Sequence, residues 1–380
     1  MKTFQPQIQK LNNISCSFKG VSTLTGSALL ALLLISTFAL PCTAKSETNA
    51  GSSTSTTTNT NTTTAYGSST NYIYGSSTVY TTGTSVASTT IFGISSTSTM
   101  GEINEIYSPE IVAKNAVVYD VQNKRFIYAK NAEQIVPMAS LAKIITATVF
   151  LQLNSARFKI GNQIQTVQII KNGPGYNAGD RDLVKGEVWR VENIIRYMLI
   201  TSSNFAAQSL VGSLIDDDFA FSLLMNKAVR DLGYRSFSFQ NSSGLSIPNP
   251  NYDPKSSDPS NASKQIPSAI GSAKEIAILF NSIFTAIPFL GTASIIPEAT
   301  FVNLSGNTHV TKNINYSIFQ IPHIIAGKTG TTEESGGNLV IEINPNQKKY
   351  VIVILGSTIE DRYNDALKLA SSTEAFATIK

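Results

Sequence analysis

The segment from Ser140 to Leu153 constrains the fold most, because it is apolar on nearly every side. A helix with this pattern belongs inside a sizeable domain rather than on its surface. Ser140 and Lys143 stand at its start, three residues apart, a spacing that puts two side chains on one helical face. Burial lowers the pKa of a lysine amine, so Lys143 is expected to act as a base that activates the Ser140 hydroxyl.

The composition of the 380-residue chain excludes several classes of protein. A net charge of +4 without any Lys/Arg cluster argues against a nucleic-acid partner. The two cysteines, Cys16 and Cys42, precede the folded part, which therefore has neither a disulfide nor a thiolate metal site. Only His309 and His323 are available as imidazole ligands and no His-Glu-x-x-His pattern occurs, so we expect no metal and no cofactor.

The N-terminal 44 residues have the pattern of a targeting segment. Residues 1–20 carry Lys2, Lys10 and Lys19 and are expected to be a cytoplasmic N-region. Residues 21–44 form an apolar run that ends in small residues, which predicts a signal peptide or a signal-anchor helix near the length that spans a bilayer. Either alternative exports the rest of the chain to the outer face of the cytoplasmic membrane, the periplasm or the cell wall.

A low-complexity segment comes next. Residues 45–104 are rich in Ser and Thr, with no charged residue between Glu47 and Glu102, which predicts a disordered linker. A long flexible spacer is useful when its far end is tethered. We therefore favour a retained membrane anchor over cleavage after Ala44.

Residues 105–380 are expected to form one catalytic domain. Strands are predicted over 116–120, 126–128, 338–343 and 350–355, and helices over 140–153, 191–200, 205–214, 276–283 and from about 362 onward. Strands at both ends with helices between them predict an α/β (α+β) fold. An antiparallel sheet built from both ends of the domain is flanked by helices, and an all-helical subdomain is added to it.

Two further motifs carry polar groups suited to a site. Thr201-Ser202-Ser203-Asn204 is a polar break between two apolar helical stretches. Gly327-Lys328-Thr329-Gly330 offers a positive charge, a hydroxyl and a glycine beside a strand, so that a bound peptide can pair along the strand edge. It is not a phosphate-binding loop, because Pro322 stands where that pattern needs glycine.

In order and spacing, Ser140-x-x-Lys143, Ser202-x-Asn204 and Lys328-Thr329-Gly330 resemble the motifs of penicillin-binding proteins and class A β-lactamases. The chain from Val117 to Leu369 is similar to serine-type D-Ala-D-Ala carboxypeptidases, the low-molecular-mass penicillin-binding proteins of the DD-peptidase/β-lactamase superfamily. The resemblance implies that superfamily's fold and a hydrolase that removes the terminal D-alanine from peptidoglycan stem peptides. β-Lactams are the inhibitors that it implies.

The resemblance also implies a role for each motif residue. Ser140 is the acylated nucleophile, Lys143 its general base, Ser202 a proton relay and Asn204 a holder of Lys143 and of the substrate backbone. Lys328, Thr329, Gly330, Thr331 and Arg362 bind the substrate: Lys328, Thr329 and Arg362 at its terminal carboxylate, and the N–H groups of Ser140 and Thr331 at the oxyanion. Lys328 is expected to lower the pKa of Lys143 by its like charge, and Ser243-Gly244-Leu245 matches a family loop near the site with a structural role.

The chain departs from the family pattern at three places. Ser203 stands where glycine is usual, Phe205 where aspartate is common, and Asn249 to Ser268 is longer than the family's loop and is expected to form a rim. A DD-endopeptidase that cuts cross-links and a transpeptidase use the same groups. A class A β-lactamase needs a Glu-x-x-Leu-Asn loop, which is absent between Asn204 and Lys328. A tethered wall-binding protein without activity is the non-enzymatic alternative.

Overall fold

The computed structural model of the protein describes residues 103–158, 163–172, 175, 177–255 and 263–379. The predicted N-region, the signal or anchor segment and nearly all of the predicted linker lie outside these residues. The described residues form an α/β domain of antiparallel sheets and helices.

The strands are β1 (Ile103–Asn104), β2 (Asn115–Asp120), β3 (Arg125–Lys130), β4 (Ile135–Pro137), β5 (Thr166–Gln168), β6 (Val188–Arg190), β7 (Ser238–Phe239), β8 (Ile247–Pro248), β9 (Gln265–Ile266), β10 (Ala269–Ser272), β11 (Glu298–Val302), β12 (Thr308–Lys312), β13 (Ile324–Thr332), β14 (Gly336–Ile343) and β15 (Tyr350–Ser357). The α-helices are α1 (Ala142–Phe158), α2 (Ala178–Asp182), α3 (Val191–Thr201), α4 (Asn204–Gly212), α5 (Asp218–Asp231), α6 (Ala273–Ala286), α7 (Pro288–Ser294) and α8 (Asp361–Ile379). Short 3-10 turns span Ala139–Leu141, Tyr316–Gln320 and Pro345–Gln347.

The main sheet has six strands in the order β1-β3-β2-β15-β14-β13. Its centre pairs β2 with β15, with Val117 opposite Val353, so strands from the two ends of the domain are neighbours. The prediction that strands from both ends of the domain form one antiparallel sheet is therefore confirmed. Strand β13, which carries Lys328, lies at the sheet edge and pairs with β14.

The central strands are buried on both faces, because helices cover both sides of the sheet. Val117 and Tyr119 point into the core that contains α1, α3 and α6, whereas the alternate residues Ala116 and Val118 pack in a second core with Leu369 of α8. This alternation follows from the two-residue period of a strand. It explains why these strands are nearly continuous apolar runs in the sequence.

Helix α1 begins two residues later than predicted. Ser140 lies in the 3-10 turn Ala139–Leu141, and α1 starts at Ala142. The cause is Ala139, whose φ of 50° puts it in the left-handed region and turns the chain immediately before the serine. The expectation that Ser140 and Lys143 share the face of one continuous helix is therefore wrong in detail.

The predicted break after the third helix is confirmed and is confined to two residues. Helix α3 ends at Thr201, Ser202 has a φ of 55°, and α4 begins at Asn204. The Ser203 hydroxyl accepts a hydrogen bond from the Ala206 N–H at 3.0 Å and so caps α4. Ser202 and Asn204 are thus fixed at the junction of two buried helices.

The predicted rim segment is built on a short stem. Strands β8 and β9 pair with Ile247 opposite Ile266, and residues 256–262 lie outside the described residues. Among the described helices, no single one has the length and hydropathy of a membrane span. Helices α6 and α7 meet the criteria only as a pair bent by 106°, and both contribute buried residues to the core.

Candidate active site

The first motif places an amine against a hydroxyl. Lys143 is fully buried in the first turn of α1, and its Nζ lies 2.8 Å from Ser140 Oγ. Ser140 itself is only half-buried, so its hydroxyl is reachable from outside. A buried amine and an accessible hydroxyl at this distance can act as a base and a nucleophile.

Two glycines hold the turn that carries Ser140. A Cβ on Gly244 would lie 2.1 Å from the Ala139 carbonyl oxygen, and a Cβ on Gly330 would lie 2.5 Å from the Met138 carbonyl oxygen. Only glycine permits these approaches. The left-handed Ala139 is thus clamped between the Gly244 loop and the edge strand β13.

Two carbonyl oxygens complete the surroundings of the Lys143 amine. Nζ donates to Asn204 Oδ1 at 2.8 Å and to the Ser243 backbone oxygen at 2.8 Å. The resemblance pointed to Asn204, whereas the contact from Ser243 comes from a loop that the sequence analysis treated as structural. Ser243 therefore contacts the Lys143 amine directly, which that interpretation did not include.

The loop 241–245 is organised by the side chain of Asn241. Its Oδ1 accepts from the N–H groups of Ser243 and Gly244 at 3.2 and 2.8 Å, and its Nδ2 donates to the Leu245 carbonyl at 2.8 Å. The loop is fastened to α1 because the Thr146 hydroxyl donates to the Ser242 carbonyl at 2.6 Å. These bonds aim the Ser243 carbonyl at Lys143.

Burial sets the protonation of Lys143. Desolvation lowers its pKa from 10.5 to about 7, against the opposing effect of the carboxylates of Asp180 and Asp218. The repulsion between the amines of Lys143 and Lys328 belongs to the pair, and it lowers the pKa of Lys328.

The second and third motifs meet through a lysine and a serine. Lys328 is fully buried, and its Nζ donates to Ser202 Oγ at 2.8 Å and to the Thr329 carbonyl at 2.7 Å. Burial, followed by the like charges of Lys143 and Arg362, lowers the pKa of Lys328 well below its usual range. This opposes the fixed positive charge that the sequence analysis assigned to Lys328.

The far end of β13 carries the remaining predicted binding residues. Thr329 is buried opposite Leu339, and Thr331 is exposed opposite Gly337. Arg362, at the start of α8, donates to the Thr331 hydroxyl at 2.6 Å and to the Gly330 carbonyl at 3.3 Å. The structure therefore brings Arg362 to the same strand as Lys328.

Asp180 on α2 also belongs to this site and was not predicted from the sequence. Its carboxylate is fully buried and accepts hydrogen bonds from Ser203, Asn204 and Phe205. Nothing local distinguishes it, since Ala178-Gly179-Asp180-Arg181-Asp182 has the composition of a surface turn. The polar residues of the second motif were the only signal that a buried partner had to exist.

The described residues contain no group of three or more His, Cys, Asp or Glu that could hold a metal ion. His309 is half-buried on β12, with its Nε2 3.0 Å from Glu187 Oε1 and its ring 4.8 Å from that of Trp189. His323 pairs with Glu374 at the surface, at 3.1 Å.

A family model described as D-alanyl-D-alanine carboxypeptidase, peptidase family S11, matches residues 102–358. A D-alanyl-D-alanine endopeptidase from Escherichia coli is 26% identical over 249 residues, which cover 65% of this chain and 72% of that protein. The carboxypeptidase DacF from Bacillus subtilis is 25% identical over 134 residues, 35% of this chain and 34% of DacF.

Solved structures share the fold. Penicillin-binding protein D2 from Listeria monocytogenes in its cefotaxime-bound form superimposes with a TM-score of 0.57 at 22% identity and covers 70% of this chain and 98% of that one. A D-alanyl-D-alanine carboxypeptidase from Mycobacterium tuberculosis has a TM-score of 0.57 at 17% identity, over 73% and 96% of the two chains. The predicted fold class is confirmed by these neighbours.

Proposed function

The chain belongs to the D-alanyl-D-alanine carboxypeptidase family, peptidase family S11, and we propose that it removes the terminal D-alanine from peptidoglycan stem peptides through an acyl-enzyme on Ser140. The observation that carries the proposal is the 2.8 Å separation of Ser140 Oγ from the buried amine of Lys143. A serine with an adjacent base is the arrangement that acyl transfer needs.

The reaction follows from the positions of these groups. Lys143 takes the proton of Ser140 as Oγ bonds to the carbonyl carbon between the two D-alanines. The N–H groups of Ser140 and Thr331 receive the developing oxyanion, and preorganised donors of this kind contribute about a hundredfold to a thousandfold in rate. Ser202, in contact with Lys328, relays the proton from Lys143 to the nitrogen of the departing D-alanine as the C–N bond breaks, and water then hydrolyses the acyl ester on Ser140.

Strand β13 and Arg362 bind the end of the peptide. The substrate pairs along the open edge of β13, while Lys328, Thr329 and Arg362 face its terminal carboxylate. A carboxylate beside Lys328 favours the charged form of an amine whose pKa burial lowers, so binding draws a proton into the site. Free peptides with a terminal carboxylate are therefore preferred over blocked ones.

A DD-endopeptidase is the second candidate. The endopeptidase from Escherichia coli matches over 72% of its length, against 34% of DacF. Endopeptidase and carboxypeptidase cleave the same kind of D-alanyl bond and differ in the leaving group, which is a cross-linked peptide in one case and free D-alanine in the other. β-Lactamase activity and a wall-binding role without catalysis are less well supported, because the chain lacks the Glu-x-x-Leu-Asn loop and carries every motif residue of a peptidase.

One set of assays separates these functions. The purified full chain in mild detergent, and its Ser140→Ala variant, are incubated with a fluorescent penicillin, a stem pentapeptide and cross-linked muropeptides. We expect stable labelling and release of D-alanine by the wild type only. Cleavage of cross-links without D-alanine release would replace the carboxypeptidase by the endopeptidase, rapid penicillin turnover would indicate a β-lactamase, and the absence of labelling would reject both peptidases.

We also propose that residues 21–44 are kept as a membrane anchor and that residues 45–104 are a spacer between that anchor and the catalytic domain, residues 105–380. The support is the apolar run and the uncharged Ser/Thr-rich segment after it. N-terminal sequencing of the mature protein tests this. An N-terminus at or after Ala44 would establish cleavage instead.

A further inference from the structure

Asp180 binds three successive residues, Ser203, Asn204 and Phe205, at the end of the second motif and the start of α4 with one carboxylate. Its Oδ1 accepts from the Ser203 hydroxyl at 2.7 Å and from the Phe205 N–H at 2.9 Å, and its Oδ2 accepts from Asn204 Nδ2 at 3.1 Å. Asp180 is fully buried, and these three hydrogen bonds replace those that its carboxylate would make with water. The carboxylate therefore fixes the orientation of the first residues of α4.

Helix α2 holds Asp180 in place by independent bonds. Asn177 caps the helix by accepting from the Asp180 N–H at 2.8 Å, and its Nδ2 donates to the Ser202 carbonyl at 3.0 Å. The Tyr197 hydroxyl donates to the Gly179 carbonyl at 2.8 Å. Asp180 is thus tied to both helices that meet at Ser202.

The bond from Asn204 decides which end of its amide faces Lys143. A carboxylate only accepts, so the NH₂ group of Asn204 must point at Asp180. Its Oδ1 is left facing Lys143 Nζ at 2.8 Å. The choice between amide oxygen and nitrogen, which geometry alone leaves open, is made here by Asp180.

The orientation of the Asn204 amide decides where the lone pair of Lys143 points. A neutral amine has two N–H groups and one lone pair. The carbonyl oxygens of Asn204 and Ser243 only accept, and each lies 2.8 Å from Nζ, so they take both N–H groups. The lone pair is left for the third neighbour, Ser140 Oγ.

We propose that Asp180 is a positioning residue for the acylation step, which it serves by fixing the amide of Asn204 so that the lone pair of Lys143 faces Ser140. This inference rests on the proposed function. With the amide reversed, the NH₂ of Asn204 would compete for the lone pair. In the step itself, the Ser140 O–H bond breaks, its proton moves to Lys143 Nζ, and Oγ forms a bond to the carbonyl carbon while the C=O π electrons move onto oxygen to give the oxyanion.

A matched variant separates this role from a simple effect of charge. The charged groups that face Lys143 are Asp180, Asp218 and Lys328, and both carboxylates raise the pKa of Lys143. Asp218 accepts from the Ser242 N–H at 2.9 Å and lies outside the contacts of Asn204. Asp218→Asn therefore removes a nearby charge and leaves the Asn204 amide oriented.

The experiment measures acylation of the purified full chain by a fluorescent penicillin between pH 5.5 and 9, together with its melting temperature. Asp180→Asn and Asp218→Asn should both move the midpoint of the pH profile to lower pH. Only Asp180→Asn should also lower the plateau at high pH, by about 10- to 100-fold, because the base is misplaced. Equal plateaus in the two variants would overturn the proposal.

The exchange variant Asp180→Asn with Asn204→Asp gives an independent readout. The amide at position 180 can donate to the carboxylate at position 204, whose second oxygen again faces Lys143. We expect the plateau to recover at least tenfold over the single variant, with its midpoint at higher pH. No recovery would overturn the proposal even if Asp180→Asn fails to fold, whereas an unlabelled wild type would reject the proposed function itself.

Discussion

Lys143 Nζ lies 2.8 Å from Ser140 Oγ although the two residues belong to different elements, a 3-10 turn and the helix after it. Ala139, in the left-handed region, turns the chain immediately before the half-buried Ser140, whereas Lys143 is fully buried. This geometry fits the proposed roles, an accessible serine as nucleophile and, as base, an amine whose pKa burial lowers to about 7.

The rate of acylation should depend on pH through Lys143. Burial lowers the pKa of this amine to about 7, so the neutral base predominates above that pH and is lost below it. We expect the rate of penicillin acylation to fall about tenfold per pH unit below the midpoint and to level off above it. Stopped-flow labelling between pH 5 and 9 measures the profile, with melting temperatures as control. A rate that is unchanged across this range would contradict the assignment.

Replacing Gly244 should disable the nucleophile without removing any catalytic group. In Gly244→Ala the new Cβ meets the Ala139 carbonyl at 2.1 Å and displaces the turn that carries Ser140. We expect labelling to slow by about a hundredfold or more.

Gly306→Ala is the matched control, because Gly306 has a similar positive φ of 87° and nothing within 4 Å of the added atom. It should cost about 1 kcal/mol in the free energy of unfolding and leave labelling unchanged. Equal labelling rates in the two glycine variants would show that the contact with Ala139 has no role.

Arg362→Gln should weaken recognition of the peptide carboxylate. Arg362 is buried beside the Thr331 hydroxyl at the end of β13, where a charge-assisted bond to a carboxylate has little competition from water. KM for a stem pentapeptide should rise about tenfold, and KM for the same peptide with a C-terminal amide should hardly change. Arg196→Gln serves as control, because Arg196 is a half-buried arginine that pairs with Glu192 on α3. An equal rise for both peptides would assign Arg362 a role in folding rather than in binding.

Asp365→Asn should destabilise the domain. The buried Asp365 carboxylate accepts from the N–H groups of Val112 and Ala113 and from the Ser357 hydroxyl, which joins α8 to the segment before β2. We expect a loss of about 2–3 kcal/mol in the free energy of unfolding by urea.

Asp361→Asn at the first residue of α8, whose hydrogen bond with Thr358 is exposed, should cost less than about 1 kcal/mol. If the two α8 variants lose similar amounts of unfolding free energy, the hydrogen bonds of the buried Asp365 carboxylate do not stabilise the contact between the two ends of the domain.

The sequence predicted the sheet and the buried helices because their apolar periodicity is strong. The strands around Val117 and Val353 and the break at Ser202 are set by local pattern, and the structure confirms them. The features that could not be predicted depend on contacts between distant segments. The left-handed Ala139 is held by Gly244 and Gly330, more than 100 residues away, and no local signal marks it.

The same limit applies to the electrostatics of the site. The sequence indicated that Lys143 is buried, but its two opposing carboxylates come from α2 and α5. Likewise, the buried position of Lys328 lowers the pKa of a residue that a motif alone presents as a fixed cation. Distances between elements decide these effects, and such distances are a property of the assembled fold.

The most direct measurement is the mass of the full chain and of its proteolytic peptides after reaction with benzylpenicillin. We expect one penicilloyl group per chain, located on Ser140, at a pH above the midpoint of the Lys143 titration, and no adduct on Ser140→Ala. An adduct on another residue, or acylation that persists without the Ser140 hydroxyl, would contradict the proposed mechanism.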